Sequence, residues 1–286
     1  MTVQLQSAVE RKNIDAVRQL VEHGAPVITQ DQDGKPLIHR VIGEYNPKKP
    51  SIHDEIARIL IHAAPYQASQ VQNSHGETSL HIAVSYGNTR IARYLLTHGA
   101  DIALQTADAR TAEDFASTEE IRNYLRSTAA LKRAVEREDV QAVRQLVAQG
   151  ASTLIADQDG NTLIHRVIRD YNPNEPTVHD EIARTLMRAA LHHATRVRNR
   201  CGQTLLHNAA ACGNTRIARY LLRHGAEVNA QDGRGNTALH RFRTKSMRDL
   251  LLEYHADPTI MNREGQIPMV TYPDAWYDLL AAQAQQ

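Results

Sequence analysis

The sequence predicts an all-α solenoid, in which two-helix repeats separated by short β-turn fingers stack in a row. Two stretches carry this prediction, residues 73–106 and residues 199–232. Each contains a turn, a short apolar helix, a break at Gly-Asn and a second helix, in that order. Each stretch is about 33 residues long, the period at which helix pairs stack into solenoids. About nine such repeats, some of them degenerate, account for the chain.

The composition agrees with thin helical layers and limits the possible functions. Hydrophobic residues make up 42% of the chain but aromatic residues only 5%, so small and aliphatic side chains must do most of the packing. The formal net charge of +1 gives no general argument for a nucleic-acid or membrane partner. The two cysteines, Cys201 and Cys212, are interpreted as free thiols in a reducing compartment. Since neither a signal peptide nor a membrane-spanning run is recognisable, we expect a cytoplasmic protein without a membrane partner.

A larger duplication includes the short repeats. Residues 5–126 align with residues 131–252 at a constant offset, and the motifs LIHRVI and HDEIAR recur in both copies. We therefore predict two modules. Residues 1–126 form the first, with about four repeats, and residues 127–286 form the second, with about four repeats and a C-terminal capping repeat.

Two parts of the modules depart from the regular pattern. A proline-rich insertion separates the helices of the second repeat in each module, YNPKKP at residues 45–50 and YNPNEP at residues 171–176. Proline cannot continue a helix, so we expect stiff, exposed connections there. The last repeat is expected to end in a helix around Trp276 that covers the final apolar layer.

The two clearest repeats resemble the ankyrin repeat. Its T-P-L-H-x-A core reads TSLHIA at residues 78–83 and TLLHNA at residues 204–209, and the resemblance covers nearly the whole chain. It implies an ankyrin-repeat solenoid in which the motif histidine bonds the turn backbone and locks adjacent fingers. The histidines at this position are His39, His81, His165, His207 and His240. Because divergent ankyrin repeats are common in bacterial proteins delivered into host cells, the resemblance also suggests a bacterial effector that acts on a host protein.

A duplicated His-Asp-Glu stretch is the candidate for catalysis or metal binding. It comprises His53, Asp54 and Glu55 in one module and His179, Asp180 and Glu181 in the other. Consecutive helical residues point about 100° apart and do not converge on one atom. Acidic residues in a first turn are also favoured by the helix dipole. We therefore predict no catalytic residues, metal, cofactor or small-molecule substrate. An enzyme built on these stretches is kept as a third hypothesis, after the two binding functions given below.

Comparison of the two modules indicates a basic surface in the second. Three polar residues of the first module, Gln70, Gln72 and Ser74, are replaced by Arg196, Arg198 and Arg200. Alternate residues of an extended finger project from one face. Between residues 184 and 248 there are 13 Arg and Lys residues and two acidic residues. Because the planar guanidinium group binds carboxylates in a bidentate manner, this surface suits an acidic protein segment.

The leading hypothesis is a non-enzymatic scaffold that binds another protein on its concave face of fingers and inner helices. Such a rigid face lowers the ordering cost of binding. The resemblance places partner contacts at Ser74, His75, Glu77 and Tyr86 in the first module and at Arg200 and Gln203 in the second. The basic surface adds Arg196, Arg198, Arg234, Arg241 and Arg243 to the predicted contacts. Whether the modules share one partner stays open. The alternative is nucleic-acid binding through the surface from Arg196 to Lys245, although aromatic residues for base stacking are scarce there.

The helix periodicity also predicts which side chains are buried. Leu95, Leu96, Leu221 and Leu222 should lie between layers, so truncating Leu95 or Leu221 to alanine should cost ~2–5 kcal/mol. An exposed change such as Arg198→Ala should stay within about ±0.5 kcal/mol.

Overall fold

The computed structural model describes residues 1–30, 34–45, 52–171 and 176–268. In these residues the regular secondary structure is helical, and β structure is limited to isolated bridges at the bases of fingers. The predicted all-α fold class is confirmed. The proline-rich insertions, apart from Tyr45, Tyr171 and Pro176, and the predicted helix around Trp276 lie outside the described residues.

The chain divides into two compact units. Unit 1 comprises Met1–Ala130 and Gly150–Gly160, and unit 2 comprises Leu131–Gln149 and Asn161–Gln286. The division of the sequence into modules at residue 126 stays a prediction.

Unit 1 is built from helix pairs. Their bounds are α1 Thr2–Glu10 and α2 Ile14–Glu22, α3 Leu37–Gly43 and α4 Ile52–Ala63, and α6 Ser79–Ser85 and α7 Thr89–Thr97. A short helix, α5 (Pro65–Gln70), precedes the finger that leads into α6. Helix α8 (Glu119–Glu136) begins in this unit. The first helix of each pair is called inner and the second outer. Inner helix α3 packs on α6, and outer helix α4 packs on α2 and α7.

Unit 2 repeats this arrangement. Its helices are α9 Val140–Ala148, α10 Leu163–Arg169, α11 Pro176–Ala189, α12 Leu191–Ala194, α13 Leu205–Cys212, α14 Thr215–Arg223 and α15 Lys245–Glu253. Inner helix α10 packs on α13, and outer helix α11 packs on α9 and α14.

The degenerate repeats are shortened at their inner helices. In the fourth repeat the TAEDFA stretch forms turns, and in the eighth the inner helix is reduced to the 3-10 turn Ala238–His240 before α15. These are the two repeats in which the sequence pattern is truncated.

Asparagine and aspartate side chains fix where the outer helices begin. Asn88 Oδ1 accepts a hydrogen bond from Ile91 N at 3.0 Å, and Asn214 Oδ1 accepts one from Ile217 N at 3.0 Å. Each satisfies one of the backbone N–H groups that a helix start leaves unpaired. Asp139 caps α9 in the same way.

The core consists of aliphatic side chains between the helix layers. The four leucines predicted to be buried, Leu95, Leu96, Leu221 and Leu222, are at most 7% exposed. Both cysteines are free thiols. Among the helices that the structure describes, none combines the length and apolar composition needed to cross a bilayer.

Candidate partner-binding surface

The fingers take their shape from one polar side chain at the base of each turn. In unit 1, Asn73 Oδ1 accepts a hydrogen bond from the N–H group of His75 at 3.0 Å. In unit 2, Asp232 Oδ1 accepts hydrogen bonds from the N–H groups of Arg234 and Asn236, both at 2.9 Å. Asn and Asp suit this position because their side chains fold the following backbone into a turn. The residues at the tip are thereby held toward solvent.

At several repeats a histidine ring connects the start of the inner helix with the backbone of the following finger. The N–H group of Thr204 donates to His207 Nδ1 at 3.2 Å, and His207 Nε2 lies 2.8 Å from the carbonyl oxygen of Asn236 in the following finger. Because a carbonyl only accepts, Nε2 carries the proton. His165 and His240 make the same two contacts in their own repeats. The lock that the resemblance implied is therefore present at these three positions.

At His39 this expectation is wrong. Pro36 stands where the motif has threonine, and proline offers neither an N–H group nor a hydroxyl to the ring. Both ring nitrogens are buried without a hydrogen-bond partner among the described residues. Burial lowers the pKa of His39 from 6.5 to about 4, and the nearby carbonyl of Val71 offsets only part of this effect. His81 is intermediate, since it keeps the threonine contact while its Nε2 is unpartnered.

Backbone hydrogen bonds join the finger tips directly. Ala107 N donates to the carbonyl of His75 at 3.1 Å, and Gly233 N donates to the carbonyl of Cys201 at 2.7 Å. The second junction requires glycine at position 202, because φ there is +74° and an added Cβ would lie 2.7 Å from Gly233 N. The tips therefore form a closely spaced backbone platform.

In unit 1, three of the four predicted contact residues come together. Ser74, His75 and Glu77 line an open cleft of about 540 Å³. The fourth, Tyr86, is 52% exposed and does not line this cleft. Its ring packs over Gly43 of α3, 3.6 Å from where a Cβ would stand on that glycine.

The same cleft contains three residues that the sequence comparison did not single out, Asp108, Arg110 and Phe115. The Arg110 guanidinium pairs with Asp108 at 2.7 Å and lies 4.5 Å from the centre of the Phe115 ring. Asp108 occupies the first-module position equivalent to Arg234, so a fuller comparison of the modules would have found it.

In unit 2, two of the predicted contact arginines hold the finger together. Arg198 Nη1 donates to the carbonyls of Gly202 at 3.0 Å and Gln231 at 2.6 Å. Arg241 Nη1 lies 3.4 Å from Asp232 Oδ2, and the side chain of Asp232 is only 2% exposed. Both guanidinium groups thus stabilise the fingers themselves.

The other predicted contact residues of unit 2 differ in exposure. Arg196, Arg200 and Arg234, called the finger arginines below, are exposed in or next to fingers, and Arg243 is exposed in the connection between the 3-10 turn and α15. Gln203 is half-buried, and its side-chain oxygen accepts a hydrogen bond from Asn199 at 3.2 Å.

The duplicated His-Asp-Glu stretch does not form a common site in either copy. In unit 1, His53 Nε2 lies 2.8 Å from Glu44, whereas Asp54 accepts a hydrogen bond from Asn88 at 2.7 Å. Glu55 pairs with Arg18 on another helix. In unit 2 the equivalent partners are Glu138 for His179, Asn214 and Arg216 for Asp180, and Arg144 for Glu181. No group of three or more metal-ligating side chains is found in the part of the chain that the structure describes.

The helix pairs, fingers and histidine locks together define an ankyrin-repeat protein, and family comparison agrees. A family model for ankyrin repeats in three copies matches residues 5–106, and a model for many copies matches residues 189–242. The chain belongs to the ankyrin-repeat family. Ankyrin repeats generally mediate protein–protein interaction and are generally non-enzymatic.

Known proteins similar to this chain come from a virus, a plant and an insect. The ankyrin repeat protein FPV232 of fowlpox virus is 26% identical over 93% of this chain and 56% of its own length. The E3 ubiquitin-protein ligase KEG of Arabidopsis thaliana is 25% identical over 93% of this chain but only 14% of its own length. The NF-kappa-B inhibitor cactus of Drosophila melanogaster is 34% identical over 30% of this chain and 17% of its own. The chain thus spans little more than half of the first relative and far less of the other two.

Proposed function

We propose that the protein is a non-enzymatic scaffold that binds an acidic segment of a partner protein across the fingers of unit 2. The finger arginines carry this proposal. They are exposed in or next to sequence-neighbouring fingers, while Asp232, the acidic residue of the second of these fingers, is turned inward.

The inward position of Asp232 directs the charge of this carboxylate away from the finger arginines. Burial opposes ionisation of Asp232, but hydrogen bonds from the N–H groups of Asn236 and Arg234 outweigh it and lower the pKa of the carboxyl. Asp232 therefore stays ionised near neutral pH with its charge directed at its own turn and at Arg241. An acidic segment would supply negative charge on the outward side, where Asp232 presents none.

The platform under the finger arginines supports binding through low ordering cost. Adjacent fingers are joined by the backbone bond between positions 201 and 233 and by the ring of His207. Binding to a preformed surface loses less conformational entropy than binding to mobile loops. Since the finger arginines are exposed, their contribution should weaken with rising salt.

The test uses variants in which the second module takes the residue of the first. Arg196→Gln and Arg200→Ser introduce the counterparts Gln70 and Ser74, which the same fold already accommodates. Affinity for a fluorescein-labelled glutamate-rich peptide, measured by fluorescence anisotropy, is expected to fall about two- to thirtyfold, because each of the two exposed ion pairs contributes about 0.2–1 kcal/mol.

The matched control removes two exposed arginines from the outer helices by the same rule, Arg188→His and Arg223→Thr, and should leave the affinity unchanged. Equal weakening by both double variants would mean non-specific attraction, and equal binding of a glutamine peptide would mean that charge is not recognised. Competition by duplex DNA with a steep salt dependence would favour the nucleic-acid alternative instead.

A further inference from the structure

The outer helices of unit 1 carry an arginine-lined groove on a face that the finger site does not use. The groove lies along α7 between α4 and α8 and has a volume of about 590 Å³. Its basic residues are Arg58, Arg90 and Arg93, and its remaining lining residues are Thr89, Tyr94, Thr97 and Glu120. It is called the outer groove below.

Aromatic rings hold two of the three guanidinium groups. Arg58 lies 5.2 Å from the centre of the Tyr94 ring, and Arg93 lies 4.8 Å from that of Tyr124. Cation–π contact orients a guanidinium group without using up its N–H donors. Within the described residues none of Arg58, Arg90 and Arg93 forms an ion pair. Arg58 also interacts with the Tyr94 hydroxyl, so the hydrogen-bonding edges available to a ligand are chiefly those of Arg90 and Arg93.

The acidic residues nearby do not neutralise these arginines. Asp54 is buried and bound to Asn88, and Glu55 pairs with Arg18. The outer groove itself contains three guanidinium groups and one carboxylate, that of Glu120. The excess of two positive charges would balance the two negative charges of one phosphate monoester dianion.

In unit 2 the arginines of the equivalent helix are paired with carboxylates. Helix α14 repeats the sequence TRIARYLL of α7, yet Arg219 pairs with Glu253 at 3.3 Å and Arg216 with Asp180 at 3.5 Å. Leu250 stands in unit 2 where unit 1 has Tyr124, and Glu253 stands where unit 1 has Ser127. The absence of ion pairs at Arg90 and Arg93, within the described residues, is therefore specific to the copy in unit 1 and does not follow from the helix sequence alone.

We propose that the outer groove binds a phosphorylated segment of a partner protein. Arginine clusters recognise phosphate because the guanidinium fork matches its oxygens in a bidentate manner. A neighbouring groove of about 950 Å³ shares Arg58, Arg90 and Tyr94 and adds the apolar side chains of Val21, Ile52 and Ile59, which suit the residues next to a phosphorylated one.

Two observations favour a peptide over a polyanion or a membrane surface. Glu22, Glu55 and Glu120 are interspersed among the arginines of the two grooves and would repel an extended array of phosphates. The apolar part of the larger groove also has no counterpart in a sugar–phosphate chain.

The test is made in the Arg196→Gln/Arg200→Ser background, in which the proposed finger site is weakened, so that its failure is a separate result. The probe is a fluorescein-labelled peptide of one phosphoserine flanked by leucines, compared with its unphosphorylated form by anisotropy. We expect the phosphorylated peptide to bind at least about tenfold more tightly, and Arg90→Ala/Arg93→Ala to abolish most of that difference. The matched pair Arg216→Ala/Arg219→Ala should leave it intact.

A second pair of variants tests the mechanism without removing any arginine. Ser127→Glu supplies the carboxylate that unit 2 has at Glu253 and should weaken phosphopeptide binding about two- to fivefold, whereas Ser127→Gln should not. Far-UV circular dichroism checks that both variants fold.

Three results would overturn the proposal: equal affinity for both peptide forms, equal effects of the two arginine double variants, or full displacement of the peptide by phosphoinositide-containing vesicles at matched phosphate concentration. The last result would assign the groove to a lipid headgroup.

Discussion

Acidification should destabilise unit 1 through His39. The ring is fully buried and its pKa lies at about 4, compared with 6.5 for an exposed histidine. Below pH 6.5 the unfolded chain therefore binds a proton that the folded chain does not bind until about pH 4. Because the unfolded state binds more protons in this window, stability is complete above pH 6.5 and falls as the pH is lowered toward 4.

The size of the loss follows from the same two pKa values. Each pKa unit corresponds to about 1.4 kcal/mol, so the full difference amounts to about 3 kcal/mol, of which about 2 kcal/mol is lost by pH 5. The assay is urea denaturation at pH 7 and pH 5, followed by circular dichroism, for the wild type and His39→Gln. The wild type should lose about 2 kcal/mol more than the variant between the two pH values.

Two comparisons separate this effect from general acid sensitivity. His81, His98 and His207 also have pKa values lowered by burial, so His39→Gln should retain part of the pH dependence. Leu221→Ala should shift stability equally at both pH values, since it removes no titrating group. If the wild type and His39→Gln lost the same free energy between pH 7 and pH 5, the reasoning would be refuted.

Three further changes test the fold, each by urea denaturation at pH 7. Leu221→Ala should lower the free energy of unfolding by about 2–5 kcal/mol, because this side chain is 1% exposed between helix layers. Gly202→Ala should cost about 1–3 kcal/mol more than Gly225→Ala. Both glycines have positive φ, but a Cβ at 202 would meet the facing finger backbone at 2.7 Å, whereas one at 225 meets nothing within 4 Å. Asn214→Ala should cost about 1–3 kcal/mol, because it removes the cap of α14 and the hydrogen bond to buried Asp180. Equal effects at the two glycines, or losses below about 0.5 kcal/mol at Leu221 or Asn214, would contradict the assigned contacts.

The helix pairs and their locks could be predicted from the sequence because their determinants are local. The Thr-x-x-His spacing brings the ring of His207 back to the backbone of Thr204 within a single helical turn. The missing lock at His39 was also readable, since Pro36 occupies the threonine position. It was overlooked because the motif was identified by its histidine alone.

The roles of individual arginines could not be predicted, because they depend on groups far away in the sequence. Arg198 was expected to be an exposed contact residue, but it bonds the carbonyl of Gln231 in the next finger. Its removal should therefore cost about 1 kcal/mol rather than almost nothing. Arg93 and Arg219 have the same helical neighbours, and only Tyr124 and Glu253, on other helices, give them different partners.

The joined finger tips also bear on how this protein could change over evolutionary time. Each of these tips is joined to the next by a backbone hydrogen bond. Gly233 N donates to the carbonyl of Cys201, and Arg263 N donates to the carbonyl of Arg234. Such bonds are indifferent to side-chain identity as long as the glycines that permit the close approach remain. Selection could therefore replace the outward-facing side chains of one finger without disturbing the backbone contacts beneath them. The change from Asp108 to Arg234 between the copies is an example.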